Sequence, residues 1–415
     1  MKGIFFDLNI GKAILKKTKI GPRFTMIKYR ANWTVPQIRF PNQVQVKTLL
    51  CGICASDLHQ IDLNISTSAS IQVNAQNPSP MGHEVLAEVT QLGSEVQTLQ
   101  VGDRVVYCPV NHCEALGFSP CLSCQKGLWE TCLCMTGVGD GSPLEEQYGG
   151  SHHFGGFGGG GWCENFVGFA SQFYRVPENL PNDIAVLTEP LAVGIHAVAR
   201  HLPADGDTVL VIGAGIIALS VIAAIRALGS RCRILVAGKY QFQSDAAMRL
   251  GADEVFLERN PSAFYSKVTE STGGQLFKPA LGRRILFGNG GPDIIFDCVG
   301  SEETISDSLH LVRCNGTVVI VGVGFGVTKH VDWYLTCSKE IAVYGAMMYG
   351  KDPYQGELVP TFDLALQFLA QDPSRFAGLV THRFPIEKFR DAIRVHEKKG
   401  QTHAIKIVFD FTSGS

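Results

Sequence analysis

A chain of 415 residues exceeds what one hydrophobic core ordinarily organises, so two domains are expected. Its make-up, 45% hydrophobic and 18% charged with 45 glycines, excludes a disordered protein. A formal net charge of −2 gives no electrostatic basis for binding nucleic acid or an anionic membrane.

The opening MKGIFFDLNIGKAILKK lacks the long apolar core and small-residue cleavage site of a secretory signal, and the thirteen cysteines are an odd number. A reducing cytoplasm is the expected location, where clustered cysteines read as metal ligands before disulfides. From residue 40 to 180 the chain is punctuated by glycine and cysteine, with short alternating runs such as VQVKTLL and DRVVYCPV that predict strands. In LLCGICASDLHQ, residues 49–60, Cys51 and Cys54 are followed by Ser56, Asp57 and His59. Locally this fits a redox pair, half of a metal site or a buried strand end. Next come His83 and Glu84 in MGHEVLAEV, and Glu189 in LTEPLAVGIHAV. One thiolate, one imidazole and carboxylates suit a zinc site with an open position. Spacing alone equally allows a core thiol, a turn histidine and a helix N-terminal carboxylate.

Cys113-x7-Cys121-x2-Cys124-x7-Cys132 lies in a loop region, about 108–134, without helical or strand periodicity. Four thiolates would hold a closed, structural zinc and staple a loop that buries no core of its own. Cys108 and Cys134 stand close by in the sequence. The glycine-rich YGGSHHFGGFGGGGW is not followed by Lys-Ser/Thr, so it reads as a loop rather than a phosphate cradle.

Between 184 and 345 the pattern becomes strand, helix, strand, helix: TVLVIG, CRILVAG, PDIIFDCVG and GTVVIVGVG are continuous apolar runs with helical patterns between them. Such alternation predicts a doubly wound parallel sheet covered on both faces. TVLVIGAGIIALSVIAAI, 208–225, is long and uncharged, but a β-branched run, a glycine turn and an Ala/Ile helix account for it better than a membrane span. Gly213-x-Gly215-x-x-Ala218 sits after a strand and opens a helix, the context of a dinucleotide site. Gly213 permits the tight turn, Gly215 admits the pyrophosphate, and Ala218 keeps helix and strand close. The second strand ends with Gly238 where an NAD site usually places an acid, and Lys239 follows, a pairing that favours NADP. A strand near IAVYGAM, helices near 362–370 and 387–399, and a last strand HAIKIVF complete the chain.

CGICASDLH, GHEVLAEV, VGDRVV, the four-cysteine loop, EPLAVGIHAV, VIGAGIIAL and DCVG stand in the order found in zinc-dependent medium-chain dehydrogenases/reductases, the alcohol, polyol, sugar and threonine dehydrogenase superfamily. From about residue 40 onward the chain resembles that superfamily. The resemblance implies a GroES-like, mainly β catalytic domain over 1–186, a Rossmann domain over 187–340, and a segment 341–415 returning to the first, with the active site in the cleft between the domains. Cys54 and His83 match catalytic zinc ligands, and Glu84 and Glu189 match carboxylates that ligate directly, through water or by turns in the polyol and sugar branch. Asp57 matches a residue that orients the ligand imidazole, and Ser56 and His59 match a proton relay. Cys51 is then a strand residue, and the cysteine pair is not redox.

In this family four-cysteine loops usually have the first two cysteines closer together. The chain also carries extra length near 60–80, 136–160 and 258–290, of which the first two stretches should shape the substrate pocket. The activity implied is reversible alcohol–carbonyl interconversion with two zinc ions per chain and NADP or NAD, in a homodimer or homotetramer. A zinc-free quinone or enoyl reductase on the same fold would lack the ligand set that is present here. A non-catalytic nucleotide-binding protein would lack the relay as well.

Overall fold

The structure is a computed structural model that describes residues 1–7, 10–17, 23–64, 66, 78–135, 159–258, 260–324 and 326–412. The glycine-rich run and the added lengths near 60–80 and 136–160 fall largely outside the described residues. The chain divides into two compact units. One comprises Met1–Glu189, Tyr349–Lys351 and Pro360–Ser415; the other comprises Pro190–Met348 and Asp352–Val359.

The first unit is built on a seven-stranded sheet in which Gln43–Gly52 is the central member. Val44 and Val46 point into the core, as alternation in VQVKTLL predicts. Val85–Leu92 runs antiparallel along one side of this strand. The other side is shared: Asn165–Phe169 pairs with residues 43–47, and Lys406–Asp410 with residues 50–52. Register shifts at Gln45/Val46 and Thr48/Leu50 bend the strand, which lets one edge serve two partners. Trp162, Phe166, Phe173, Ile407 and Phe409 fill the interior, with Phe389 and Ile393 of the helix Phe389–Glu397 packed on it. An antiparallel sheet of Gly3–Phe6, Ile27–Arg30 and Ser79–Pro80 adds the N-terminal segment.

The second unit holds a six-stranded sheet whose described neighbours are all parallel. Its order is Glu254–Phe256, Arg233–Ala237, Thr208–Ile212, Ile294–Asp297, Thr317–Ile320, Ala342–Gly345. In chain order this is 3-2-1-4-5-6, the doubly wound order, with its switch point beside the first strand. Residues 208–225 resolve into that strand and the helix Ile216–Ala227, and no described helix is long and apolar enough to cross a membrane. The added length near 258–290 forms the helix Pro261–Thr272 and a small pair of strands, Leu276–Phe277 and Ile285–Leu286.

Lys339 shows how tightly this unit is finished. Only 1% exposed, it donates from Nζ to the Leu309 carbonyl at 2.9 Å, to the His310 carbonyl at 3.2 Å and to Val312 O, at the C-terminus of the helix Glu302–Leu311. A cation there meets the negative end of the helix dipole and satisfies carbonyls left without partners within the helix.

Candidate active site and zinc lobe

Three strand ends of the first unit converge, and their hydrogen bonds explain the convergence. Cys51 pairs with Val85, the Gly52 amide donates to Glu84 O at 2.8 Å, and the Ile53 amide donates to Ile407 O at 2.9 Å. Cys54, His83–Glu84 and Lys406 are therefore neighbours by register. Cys54 sits at the N-cap of the short helix Ala55–Ile61, where its amide donates to Asp57 Oδ2 at 2.9 Å. The other Asp57 oxygen lies 3.4 Å from His83 Nδ1. Asp57 thus ties the cap and the imidazole into one arrangement and leaves Nε2 of His83 for a ligand role.

The metal-capable atoms of Cys54, His83 and Glu84 all lie within 4.8 Å of one another. Glu189, in the first turn of the helix Thr188–Ala199, is 6% exposed and does not belong to that trio. It is nevertheless electrostatically linked to the trio: burial pushes its carboxyl up to about 7, against the pull of the His83 charge. Burial works against protonation of His83, but the Asp57 carboxylate and Cys54 outweigh it and hold the imidazole well above its ordinary range. A metal entering between Cys54 and His83 must therefore displace a proton. The buried hydroxyl of Tyr349 lies beside Glu189.

Sequence reasoning missed the partner of Glu84. Lys406 Nζ lies 2.6 and 2.5 Å from the two Glu84 oxygens and 3.3 Å from Ile53 O, and the two side chains are 2% and 1% exposed. A lysine inside the apolar strand HAIKIVF was the available signal, because buried charges are paired. Gly52 makes room for the pair, since a Cβ there would sit 1.8 Å from Glu84 Oε2. Cys51 is fully buried, and burial pushes its thiol well above the ordinary range, so it has no redox-active character.

Ser56 and His59 lie one turn apart on the helix Ala55–Ile61, both half-buried. Burial lowers the His59 pKa, with Asp62 acting in the opposite direction. An imidazole kept neutral near pH 7 is ready to receive a proton.

The cysteine loop closes on itself. The sulfurs of Cys113, Cys121, Cys124 and Cys132 are all within 4.8 Å of one another, with Cys113–Cys132 at 3.5 Å and Cys121–Cys132 at 3.8 Å. Thiolates about 2.3 Å from a tetrahedral zinc stand roughly 3.8 Å apart, so this donor set fits that ion. Against burial, the backbone amides of Cys124 and Leu133 bring the Cys121 thiol down to about 6. The lobe is stitched to Lys351 of the same unit, whose amide donates to Gly127 O at 2.8 Å and whose ammonium meets Glu114 at 2.8 Å. Cys108 is separate: it is buried just past the end of the strand Arg104–Tyr107, next to the Val110 amide.

In the second unit, Gly213 has φ +103° and a Cβ there would press on Val299 at 3.0 Å. Gly215 caps the helix Ile216–Ala227, and a Cβ there would meet nothing within 4 Å. That open space in front of a helix N-terminus fits a pyrophosphate. Ala218 is 1% exposed against the sheet. Gly238 is buried at the end of Arg233–Ala237, followed by an exposed Lys239, which places both where a ribose-recognition position is expected.

Two family models match the chain: an alcohol dehydrogenase GroES-like domain over residues 40–178 and a zinc-binding dehydrogenase domain over 217–365. A sorbitol dehydrogenase of Arabidopsis thaliana is 29% identical over 89% of each chain. A diacetyl reductase of Saccharomyces cerevisiae, (R)-acetoin forming, is 31% identical over 71% of this chain and 67% of its own. Among solved structures, an Escherichia coli alcohol dehydrogenase complexed with NADH is similar with a TM-score of 0.71, at 21% identity and 99% coverage of both chains.

Proposed function

Because the chain belongs to the zinc-dependent medium-chain dehydrogenase/reductase superfamily, we propose that its GroES-like part binds a catalytic zinc through Cys54 and His83. The protein is a zinc-dependent, NAD(P)-dependent oxidoreductase that interconverts an alcohol or polyol and its carbonyl compound by hydride transfer. The assignment proposed is catalytic for the unit Met1–Glu189, Tyr349–Lys351 and Pro360–Ser415, and dinucleotide-binding for the unit Pro190–Met348 and Asp352–Val359, whose sheet extends past the expected boundary at 340 to include Ala342–Gly345.

The observation that carries the site assignment is the single arrangement in which Asp57 fixes both the Cys54 amide and His83 Nδ1. A zinc held there by Cys54 and His83 would supply a Lewis acid for the substrate oxygen. Asp57 sets the tautomer and plane of His83, so the ligand nitrogen needs no reorganisation. Ser56 takes the substrate proton and passes it to His59, one turn further along and half open to solvent. Lys406 neutralises Glu84, which leaves Glu189 or a water as the exchangeable partner of Cys54 and His83. Gly213, Gly215 and Ala218 would seat the dinucleotide, which would supply the hydride acceptor or donor.

A second, structural zinc at Cys113, Cys121, Cys124 and Cys132, a preference for NADP through Gly238 and Lys239, and a homodimer or homotetramer complete the proposal. The relatives named sorbitol dehydrogenase, D-xylulose reductase and L-idonate 5-dehydrogenase point to polyols and sugar acids as the substrate class. The test is a panel of alcohols, polyols, sugars and carbonyl compounds offered with each cofactor, following nicotinamide absorbance. Turnover that persists in metal-verified Cys54→Ser protein would overturn the site assignment.

A further inference from the structure

The zinc lobe contains a fifth thiol that a four-ligand site does not require. Cys134 lies on the short turn Leu133–Met135, directly after Cys132, and is fully buried. Its sulfur is 4.0 Å from Cys113 Sγ, and its backbone amide donates to Cys132 Sγ at 3.4 Å. Ligand sulfurs on one tetrahedral zinc stand roughly 3.8 Å apart, so Cys134 is at ligand-to-ligand distance from Cys113. The Cys113–Cys132 and Cys121–Cys132 separations, 3.5 and 3.8 Å, are of similar size. We propose that Cys134 is an alternative ligand of the structural zinc and takes the place of Cys113 by thiolate exchange, so that five cysteines serve one four-coordinate ion.

The chain layout favours Cys113 as the ligand exchanged. Cys121, Cys124, Cys132 and Cys134 belong to one short segment, whereas Cys113 joins it across the seven residues EALGFSP. The exchange changes no oxidation state. The Cys134 sulfur bonds to zinc as its proton leaves, the Cys113–zinc bond breaks, and the departing thiolate takes up a proton. The consequence is a lobe that keeps its metal, and with it its fold, when the outlying ligand is lost or swings away.

This inference rests on the structural-zinc reading, and one set of variants separates the two. In full-length Cys54→Ser protein, which lacks the catalytic ligand, one zinc per chain should remain by atomic emission. Adding Cys124→Ser should remove it; retention there would overturn the structural site and the exchange together. Adding Cys113→Ser should leave the zinc in place, whereas Cys113→Ser with Cys134→Ser should lose it. Loss in the Cys113→Ser variant alone, or retention in the double variant, would overturn the exchange and leave the structural site standing. A variant that keeps Cys113, Cys121, Cys124 and Cys132 guards against misfolding: Cys134→Ala should release zinc to EDTA about tenfold faster than the parent, in the range seen when a metal site loses a supporting group. An unchanged release rate would overturn the proposal.

Discussion

Replacing Lys406 by methionine removes a buried cation while nearly preserving side-chain volume, so its effect is electrostatic rather than steric. The ammonium lies 2.5–2.6 Å from both Glu84 oxygens, with the pair almost wholly buried. At an effective dielectric of about 20, unit charges some 3 Å apart attract by roughly 5 kcal/mol. Desolvating each ion costs several kcal/mol, which offsets most of that attraction, and the intact pair is close to neutral for stability. Removing one partner leaves the other desolvated and uncompensated, and the expected loss is about 3–5 kcal/mol. Trp33, Trp129 and Trp162 belong to the same unit, and Trp162 Nε1 donates to Gly52 O, so tryptophan fluorescence during urea unfolding reports on this region. The measurement belongs in a Cys54→Ser background, where no catalytic metal can recruit the freed carboxylate. Adding Glu84→Gln to Lys406→Met should recover at least half of the loss, because the stranded charge is then gone. A cost below about 1 kcal/mol for Lys406→Met, or a double variant whose cost is the sum of the two singles, would refute this reasoning.

Three other outcomes are expected. Cys54→Ser should abolish turnover while dinucleotide affinity, measured by nicotinamide fluorescence, stays within about twofold of the parent, since Gly213 and Gly215 belong to the other unit. Gly238→Asp should turn selectivity towards NAD, because a 2′-phosphate of about −1.5 to −2 charge would face a carboxylate. The backbone tolerates that change, as a Cβ at Gly238 meets Ala214 and Leu257 at 3.4 Å, an ordinary contact; Lys239→Ala should weaken NADP alone, by about fivefold. His310 is 6% exposed and burial lowers its pKa, so the unfolded chain binds more protons than the folded one as pH falls through about 6.5. The stability of the parent should therefore drop more steeply between pH 7 and 5 than that of His310→Gln, and parallel pH profiles would remove His310 as the cause.

The sequence by itself determined the parts that are written locally. Continuous apolar strands alternating with helical patterns fix a parallel sheet, and Gly213-x-Gly215-x-x-Ala218 is legible because a strand, a turn and a helix N-terminus follow one another within a dozen residues. The cysteine loop is legible for the same reason: Cys113, Cys121, Cys124 and Cys132 are close in sequence, so their spacing constrains their geometry. The cluster of Cys54, His83 and Glu84 is of another kind. Cys54, His83 and Glu84 become neighbours only through the antiparallel register of Gln43–Gly52 with Val85–Leu92. In bare spacing Cys54 reads equally well as a core thiol and His83 as a turn residue, and family resemblance was needed to join them. The lysine in HAIKIVF signals a buried pair, but which carboxylate pairs with Lys406 lay beyond both approaches, because that partner is 322 residues away and the pairing depends on Ile53 and Ile407 sharing a backbone hydrogen bond. Tertiary structure likewise brought Cys134 to 4.0 Å from Cys113, a distance that sequence spacing leaves open. Local periodicity follows from backbone geometry within one element, whereas register between distant strands is fixed only when the whole sheet buries its side chains together.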